Sequence, residues 1–176
     1  MNPWDNSTAW KSEKDFMNWL RSQTRRIWSR HPVKISYKIA RRFKAPIGVN
    51  GKEVWACNCE MCGKLVRSSE TQIDHIIMGG SFSDWKTYTE WARRILWVTA
   101  DDIRELCVDC HTVVNYMQKT GLSFDEAKIE KQVIEIIKTK ADKQFLTEAG
   151  ITPASNAKAR REQLLKLLKE KQIENQ

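Results

Sequence analysis

The sequence predicts an α+β fold in which helices at both ends of the chain flank a short region of β character. Apolar residues recur at helical spacing over residues 12–30, and again over residues 123–146 and 156–172. Residues 54–115 instead contain short β-like runs, a Gly-Gly chain breaker and all five cysteines. The helical and the cysteine-containing parts of the chain are therefore expected to have different tasks.

The length of the chain, 176 residues, suits one ordinary domain or a small compact site with helical extensions. We divide it into three segments on composition. Residues 1–52 form a basic helical extension, residues 53–120 the domain that carries the chemistry, and residues 121–176 a C-terminal helical extension.

The charge is concentrated at the N-terminal end. Lys and Arg number 30 against 22 Asp and Glu, which gives a formal net charge of +8. Residues 1–52 hold 12 basic and 3 acidic residues, a net charge of +9, so the remaining 124 residues sum to about −1. Such a segment favours polyanionic partners.

The hydropathy pattern argues against a membrane protein. No run approaches the roughly 20 apolar residues that a membrane span requires, and the N-terminus lacks the charged-then-apolar order of a secretory signal. We therefore expect a cytoplasmic location. Five cysteines in a reducing compartment are better suited to binding a metal than to forming disulfides.

Two basic helices are predicted near the N-terminus. The first covers "SEKDFMNWLRSQTRRIWSR", opens with Ser12 and Asp15 in a pattern close to a capping box, and ends near Pro32. The second covers "VKISYKIARRFKA" and is stopped by Pro46. Their basic residues are either solvated or in contact with phosphates, and we favour phosphate contact because no acidic residue nearby in the sequence balances them. The candidates for nucleic-acid binding are Arg21, Arg25, Arg26, Arg30, Lys34, Lys38, Arg41, Arg42 and Lys44.

Two helices are also predicted at the C-terminal end. "SFDEAKIEKQVIEIIKTKADKQFL" begins with Ser123 and Glu126 as a capping box, and "NAKARREQLLKLLKEKQ" forms the last helix. An accessory role in DNA contact remains an alternative for them, but we favour packing because apolar stripes of this kind are usually packing surfaces. The stripe residues are Ile129, Val133, Ile136 and Ile137 in the first helix, and Leu164, Leu165 and Leu168 in the second.

Two C-x-x-C pairs predict a structural zinc site. Cys59 and Cys62 form one pair, Cys107 and Cys110 the other, and two such pairs supply the tetrahedral four-cysteine set that zinc prefers. A redox role is the main alternative for either pair alone, but it leaves the second pair unexplained. Cys57 could replace Cys59, but its spacing to Cys62 is looser, so we expect it to be a small, partly buried residue.

A zinc ion held by both pairs would bring the segments next to them together. "QIDHI" is then a strand and "HTVVNYMQKTG" a helix that begins at the second pair. Neighbours on a strand point to opposite faces, so Asp74 and His75 separate. Asp74 and His111 can then hold a second, hard divalent ion, and His75 can accept a proton from an attacking water.

The order "CEMCG", "IDHI", "DIRELCVDCH" resembles the zinc-containing, four-cysteine branch of the HNH endonuclease family, and phage-encoded members most of all. The resemblance covers about residues 53–120. It implies a small ββα-metal core (HNH, or His-Me finger) around a structural Zn²⁺. It also implies hydrolysis of DNA phosphodiester bonds, by nicking or double-strand cleavage, with Mg²⁺, Mn²⁺ or another divalent ion. DNA is then the main partner, beside a phage packaging or replication protein. The host cytoplasm is the expected location, and homing, packaging or host DNA degradation the expected role.

The resemblance also implies a role for single residues. Asp74 and His111 correspond to ligands of the catalytic ion, and His75 to the general base that activates water. The family's middle Asn, which orients the base, falls at Asp102. This is a departure, because an ionised Asp accepts hydrogen bonds but donates none.

A second departure lies in the helix after the last cysteine. The family often has a Lys three residues after the His, where this chain has Val114. Asn115 is one helical turn after His111 and is a further candidate ligand for the ion or the phosphate. These departures keep a different class open: a non-catalytic, zinc-stabilised nucleic-acid-binding regulator or packaging accessory protein. A pure binding protein has no reason to keep Asp74, His75 and His111 together.

Overall fold

The computed structural model describes residues 2, 4–6 and 9–174 and confirms an α+β protein with small antiparallel sheets. The described residues form two compact units, Met1–His111 and Thr112–Gln176. The helices are α1 (Glu13–Ser29), α2 (Pro32–Arg41), α3 (Trp85–Leu96), α4 (Val108–Thr120), α5 (Phe124–Lys138), α6 (Asp142–Glu148) and α7 (Ala157–Glu174). The strands are β1 (Phe43–Ala45), β2 (Val54–Asn58), β3 (Leu65–Arg67), β4 (Thr71–His75) and β5 (Ile103–Cys107).

The first helix begins and ends where the sequence predicts. The Ser12 hydroxyl accepts a hydrogen bond from the backbone N–H of Asp15 at 3.3 Å, which satisfies one of the free donors at the start of α1. The helix ends at Ser29, and Pro32 begins α2 at a first-turn position, where its missing N–H costs nothing.

The predicted extent of the second helix was wrong at its end. We expected a helix as far as Ala45, but α2 ends at Arg41 and Arg42 is extended. Residues 43–45 pair antiparallel with β2 as strand β1, with Phe43 opposite Ala56. Backbone hydrogen bonds to a strand distant in sequence outweigh the local helical pattern. The resulting sheet has the order β1-β2-β3.

Strands β4 and β5 form a separate antiparallel pair, as the candidate site requires. Asp74 lies opposite Arg104 in this pair, and His75 lies opposite Ile103. Helix α4 follows β5 without a break, so His111 falls in its first turn, as predicted. The sequence "IDHI" thus lies at the end of β4, which pairs with β5, and α4 begins directly after β5.

Helix α3 lies between β4 and β5 in the sequence, and an aromatic core packs it against α1. Met17 of α1 is buried with Phe82 and Trp91, and the indole N–H of Trp91 donates to the Gly80 carbonyl at 3.2 Å. Gly79 packs closely on Ile95: a Cβ atom at residue 79 would lie 2.5 Å from Cδ1 of Ile95, so the Ile95 side chain would have to shift. This packing sets the position of the C-terminal end of α3.

The second unit contains helices α5, α6 and α7. The capping box of Ser123 and Glu126 is confirmed, but the predicted single helix over residues 123–146 was wrong: the chain breaks at Lys140, whose φ is +58°. The N–H of Ala141 bonds to the Ile136 carbonyl at 3.0 Å, which closes α5 with a Schellman-type turn.

The predicted apolar stripes form the core of this unit. Its fully or nearly buried residues are Ile129, Val133, Leu146, Leu164 and Leu167, with Ile136, Ile137, Leu165 and Leu168 packed against them. Ion pairs surround the core, including Arg160 Nε to Asp142 Oδ2 at 2.6 Å. Within the part of the chain that the structure describes, no helix has the length and apolar character needed to cross a membrane.

Candidate metal centre and active site

The four cysteines of the two C-x-x-C pairs come together in one cluster that can hold a metal ion. The Sγ atoms of Cys59, Cys62, Cys107 and Cys110 all lie within 4.8 Å of one another, and those of Cys62 and Cys107 are 4.0 Å apart. A zinc ion with bonds of about 2.3 Å to four sulfurs places the sulfurs about 3.8 Å apart. Gly63, at φ +69°, closes the first turn through a 2.8 Å bond from its N–H to the Cys59 carbonyl. The cluster is compatible with zinc.

The surroundings of the cluster favour one thiolate in particular. Burial disfavours the charged form of Cys59, but hydrogen bonds from the backbone amides of Cys107, Cys62 and Met61 outweigh it and lower the pKa of Cys59 to about 7. Burial raises the pKa values of Cys107 and Cys110. A bound cation favours the thiolate form of every ligand, so it would stabilise a cluster that is costly to ionise without it.

Cys57 lies outside the cluster, as expected. It is 1% exposed in β2. Burial, followed by its hydrogen bond with Glu105, raises the pKa of Cys57 to about 11. An unreactive thiol of this kind fills space in the core.

Asp74 and His111 present two ligand atoms to the same space. Oδ1 of Asp74 lies 3.9 Å from Nε2 of His111, too far for a hydrogen bond. Two ligand atoms about 2.1 Å from a common ion are about 3.0 Å apart when they are adjacent in an octahedron and at most about 4.2 Å apart, so a shared divalent ion requires these two side chains to move somewhat closer. The other oxygen of Asp74, Oδ2, forms an ion pair with Arg104, whose Nε and Nη2 both lie 3.1 Å away.

His75 faces other elements than Asp74 does. Its Nε2 lies 3.0 Å from the carbonyl oxygen of Ile95, at the end of α3. A carbonyl only accepts, so Nε2 carries the proton and Nδ1 is the basic nitrogen of the neutral ring. The Trp28 ring packs against the imidazole, with the ring centroids 4.2 Å apart. Burial lowers the pKa of His75, against the Ile95 carbonyl and the charge of Asp74, which both raise it.

The backbone of Asp102 is hydrogen-bonded to Ile76, the residue after His75. Its carbonyl accepts from the N–H of Ile76 at 2.9 Å. Its carboxylate accepts from the backbone N–H and the hydroxyl of Thr99 at 2.7 and 2.8 Å, and these bonds lower the pKa of Asp102. The carbonyl of Ile95 is one hydrogen-bond partner of the His75 imidazole. A backbone carbonyl has no signature in the sequence, and sequence reasoning missed it.

The remaining positions on α4 have different settings. Val114 is completely buried, which explains why a Lys is absent there: an ammonium group in the core has no water and no partner. Asn115 is half-buried in the part of α4 that belongs to the second unit.

Some of the nine basic candidates are tied to the protein itself. Nη2 of Arg21 donates to the carbonyl of Phe82 at 2.7 Å, and Nζ of Lys38 lies 3.4 Å from the carbonyl of Thr71. Nε of Arg41 lies 3.2 Å from Oε1 of Glu60. These residues have structural partners that the sequence did not reveal.

The other basic candidates are open to solvent or stacked on aromatic rings. Arg25, Arg26 and Arg30 are exposed, and the first two line a groove of about 360 Å³ on α1 with Arg21. Lys34 lies 5.4 Å from the centre of the Trp28 ring, while Arg42 and Lys44 both lie 4.5 Å from the centre of the half-exposed Trp55 ring. Cations above an exposed indole can contact phosphates and bases together.

Glu60, inside the first C-x-x-C pair, links three elements and was also missed. Its Oε1 accepts from the Tyr37 hydroxyl at 2.8 Å and from the N–H of Glu105 at 2.6 Å, beside Arg41. Burial and the hydrogen bond to Glu60 raise the pKa of Tyr37 to about 12. The sequence pattern assigns a role to the two cysteines of a C-x-x-C pair but none to the two residues between them.

Comparisons with models of protein families, with curated proteins and with solved structures found no match for this chain.

Proposed function

We propose that this chain is a metal-dependent HNH endonuclease that hydrolyses phosphodiester bonds in DNA. The observation that carries the proposal is the 3.9 Å separation between Asp74 Oδ1 on β4 and His111 Nε2 in the first turn of α4, the helix that directly follows β5, the partner strand of β4. The resemblance in sequence supplies the same three residues in the same order. The core is then of the ββα-metal type.

Two kinds of metal ion have a place in this proposal. Zn²⁺ would be held by Cys59, Cys62, Cys107 and Cys110, whose sulfurs lie close together, and would join the loop before β3 to the start of α4. Mg²⁺, Mn²⁺ or another divalent ion would be held by Asp74 and His111. When bound, the second ion supplies positive charge to the phosphate and to the leaving oxygen.

His75 is the general base. Because Nε2–H donates to the Ile95 carbonyl, Nδ1 takes the proton of the water as the water oxygen bonds to phosphorus. The bond from phosphorus to the 3′ oxygen breaks, and that oxygen takes a proton from solvent. The lowered pKa keeps His75 neutral, and so ready to accept a proton, at pH 7.

The basic residues of α1, α2 and β1 supply affinity for the phosphate backbone. The exposed Arg25, Arg26 and Arg30, and the pair of cations on Trp55, fit this task best, because they have no acidic partner among the described residues. We therefore expect binding that weakens steeply with salt.

A non-catalytic nucleic-acid-binding regulator is the second candidate. It is favoured by the ion pair of Asp74 with Arg104, which neutralises one of the two proposed ligands. The carboxylate of Asp102 accepts hydrogen bonds from the backbone N–H and the hydroxyl of Thr99.

The test is relaxation of supercoiled plasmid with Mg²⁺ or Mn²⁺. Wild type should nick the plasmid, while His75→Ala and His111→Ala should lose at least about a hundredfold in rate, the range for a lost general base. Trp85→Ala, an exposed change in α3, is the control and should nick normally. If wild type binds DNA but does not nick it with any divalent ion, the nuclease proposal is rejected in favour of the non-catalytic regulator.

A further inference from the structure

A cavity of about 290 Å³ opens beside the proposed general base. Its wall includes His75, Ile77, Arg94, Trp97, Val98 and Asp101. The volume is near the lower end for small-molecule sites, which begin at roughly 300 Å³. The cavity is thus of a size for one small planar group.

Two apolar side chains at this cavity are unusually exposed. Trp97 is 82% exposed and Ile77 is 81% exposed. Neither contributes to a core of the unit, and an exposed large apolar patch beside a reactive residue indicates a binding surface. The indole is the stronger of the two indications, because its flat face can stack on a planar partner.

The position of Trp97 is fixed by the element that also orients His75. The backbone N–H of Trp97 donates to the Arg93 carbonyl at 2.8 Å and closes the last turn of α3. Two residues earlier, the Ile95 carbonyl accepts from His75. The backbone of Trp97 and the carbonyl that accepts from His75 therefore belong to the same C-terminal end of α3, and both side chains line the cavity.

The charges at the cavity select a neutral ligand with donors. Asp101 and Asp102 both line it, and their carboxylates repel a phosphate placed directly against them, so the group on that side of the cavity is uncharged. Asp102 is occupied by Thr99, whereas the Asp101 carboxylate is exposed and has no partner among the described residues. Amino groups on a nucleobase edge are donors for such a carboxylate. Arg94, on the same wall, can contact the phosphate next to that base.

We propose that this cavity receives one unstacked nucleobase, next to the phosphate that is cleaved at His75. Trp97 stacks on the base and Asp101 accepts a hydrogen bond from its exocyclic amine. In a regular duplex both faces of each base are covered by neighbours, so the preferred substrate is single-stranded DNA or a duplex with an unpaired base. The proposal rests on the proposed function of His75, which it extends to a substrate class.

The first test is binding without added divalent ions, which needs no cleavage. The probe is a single-stranded oligonucleotide that contains 2-aminopurine, whose fluorescence falls when it stacks. Trp97→Ala should weaken binding about tenfold and remove the fluorescence change, in line with the loss of one base stack. Trp97→Phe should keep both. Trp85→Ala is the control with an exposed Trp at the other end of α3 and should bind like wild type. If Trp97→Ala and Trp85→Ala bind the oligonucleotide equally well, the proposal is overturned, and a protein partner becomes the remaining explanation for this exposed surface.

The second test compares cleavage of a fully paired duplex with the same duplex carrying one bulged base. Wild type should prefer the bulge at least about tenfold, and Trp97→Ala should lose the preference. Asp101→Asn should lose the preference for bulged cytosine or adenine over thymine, while Asp125→Asn should not. Equal cleavage of both duplexes by wild type overturns the cavity proposal but leaves the nuclease intact. No cleavage of any DNA removes the nuclease, and the binding test then still decides the cavity.

Discussion

Arg104 Nε lies 3.1 Å from Oδ2 of Asp74, its direct partner across the pair of strands β4 and β5. Both side chains are largely buried, and the second oxygen of the same carboxylate faces His111. The carboxylate therefore has one oxygen held by a protein cation and one turned toward the proposed ion. Arg104 fixes the rotamer of Asp74, and it also offsets part of the charge that a divalent ion would otherwise meet.

Arg104→Met should cost about 3 kcal/mol in the free energy of unfolding, because it leaves the buried Asp74 carboxylate without its cation. Mn²⁺ should restore more stability to this variant than to wild type, since a ligand that binds only the folded state stabilises it. Thermal unfolding with and without Mn²⁺ measures both effects. Arg67→Met breaks an exposed pair with Glu70 and should change stability by less than about 1 kcal/mol. Similar losses in both variants would contradict the role given to Arg104.

Cys59→Ser should lower the metal content of the purified protein from about one zinc per chain to well below one. The remaining three thiolates cannot complete the tetrahedral site. Cys57→Ala is the matched control, two residues away and equally buried, and should keep its zinc because Cys57 lies outside the cluster. Elemental analysis of both variants gives the answer. Retention of zinc by Cys59→Ser together with its loss in Cys57→Ala would exchange the assignment of the two cysteines.

Asp142→Asn should make unfolding of the second unit less sensitive to acid. Its hydrogen bond and ion pair with Arg160 lower the pKa of Asp142 in the folded state. The stabilisation is thus present above the ordinary pKa of about 3.9 and is lost as the pH falls through the folded value. Urea unfolding from pH 7 to pH 2 should show a difference from wild type that shrinks toward low pH. Glu135→Gln, in an exposed pair with Lys138, should show little difference at any pH.

Lys140→Gly should stabilise the second unit by about 0.5 to 1 kcal/mol. Lys140 has a left-handed backbone at the end of α5, which strains any residue with a Cβ atom by about 1–2 kcal/mol. Glycine relieves this strain, although its unfolded chain is more flexible. Lys128→Gly, in the interior of α5, should instead cost about 1 kcal/mol. Chemical denaturation of the two variants tests the sign, and destabilisation by both would contradict the account.

The parts of this protein that could be predicted from sequence are those that depend on near neighbours along the chain. The caps at Ser12 and Ser123 and the spacing of the four cysteines are of this kind. Strand β1 could not be predicted, because it exists only through pairing with β2. The break at Lys140 carries no glycine to announce it.

The candidate site divides in the same way. The order of Asp74, His75 and His111 along the sequence predicted these three as site residues. The β4–β5 pair and α4 bring Asp74 and His111 close together. Their immediate partners were missed, because each comes from a distant segment. Trp28 is 47 residues from His75 in sequence, and the Ile95 carbonyl belongs to the backbone, whose chemistry is the same at nearly every position.

The carboxylate of Glu60 connects the cysteine cluster to helix α2. Because Glu60 lies between Cys59 and Cys62, its hydrogen bond with Tyr37 and its ion pair with Arg41 attach α2 to the turn that a zinc ion at the four cysteines would hold in place. If zinc is bound there, removing it with a chelator should loosen this turn and weaken the contacts of α2 with Glu60. Affinity for a polyanion should then fall as the fraction of zinc-loaded protein falls. A protein sample with little zinc should bind weakly even though every basic residue is present.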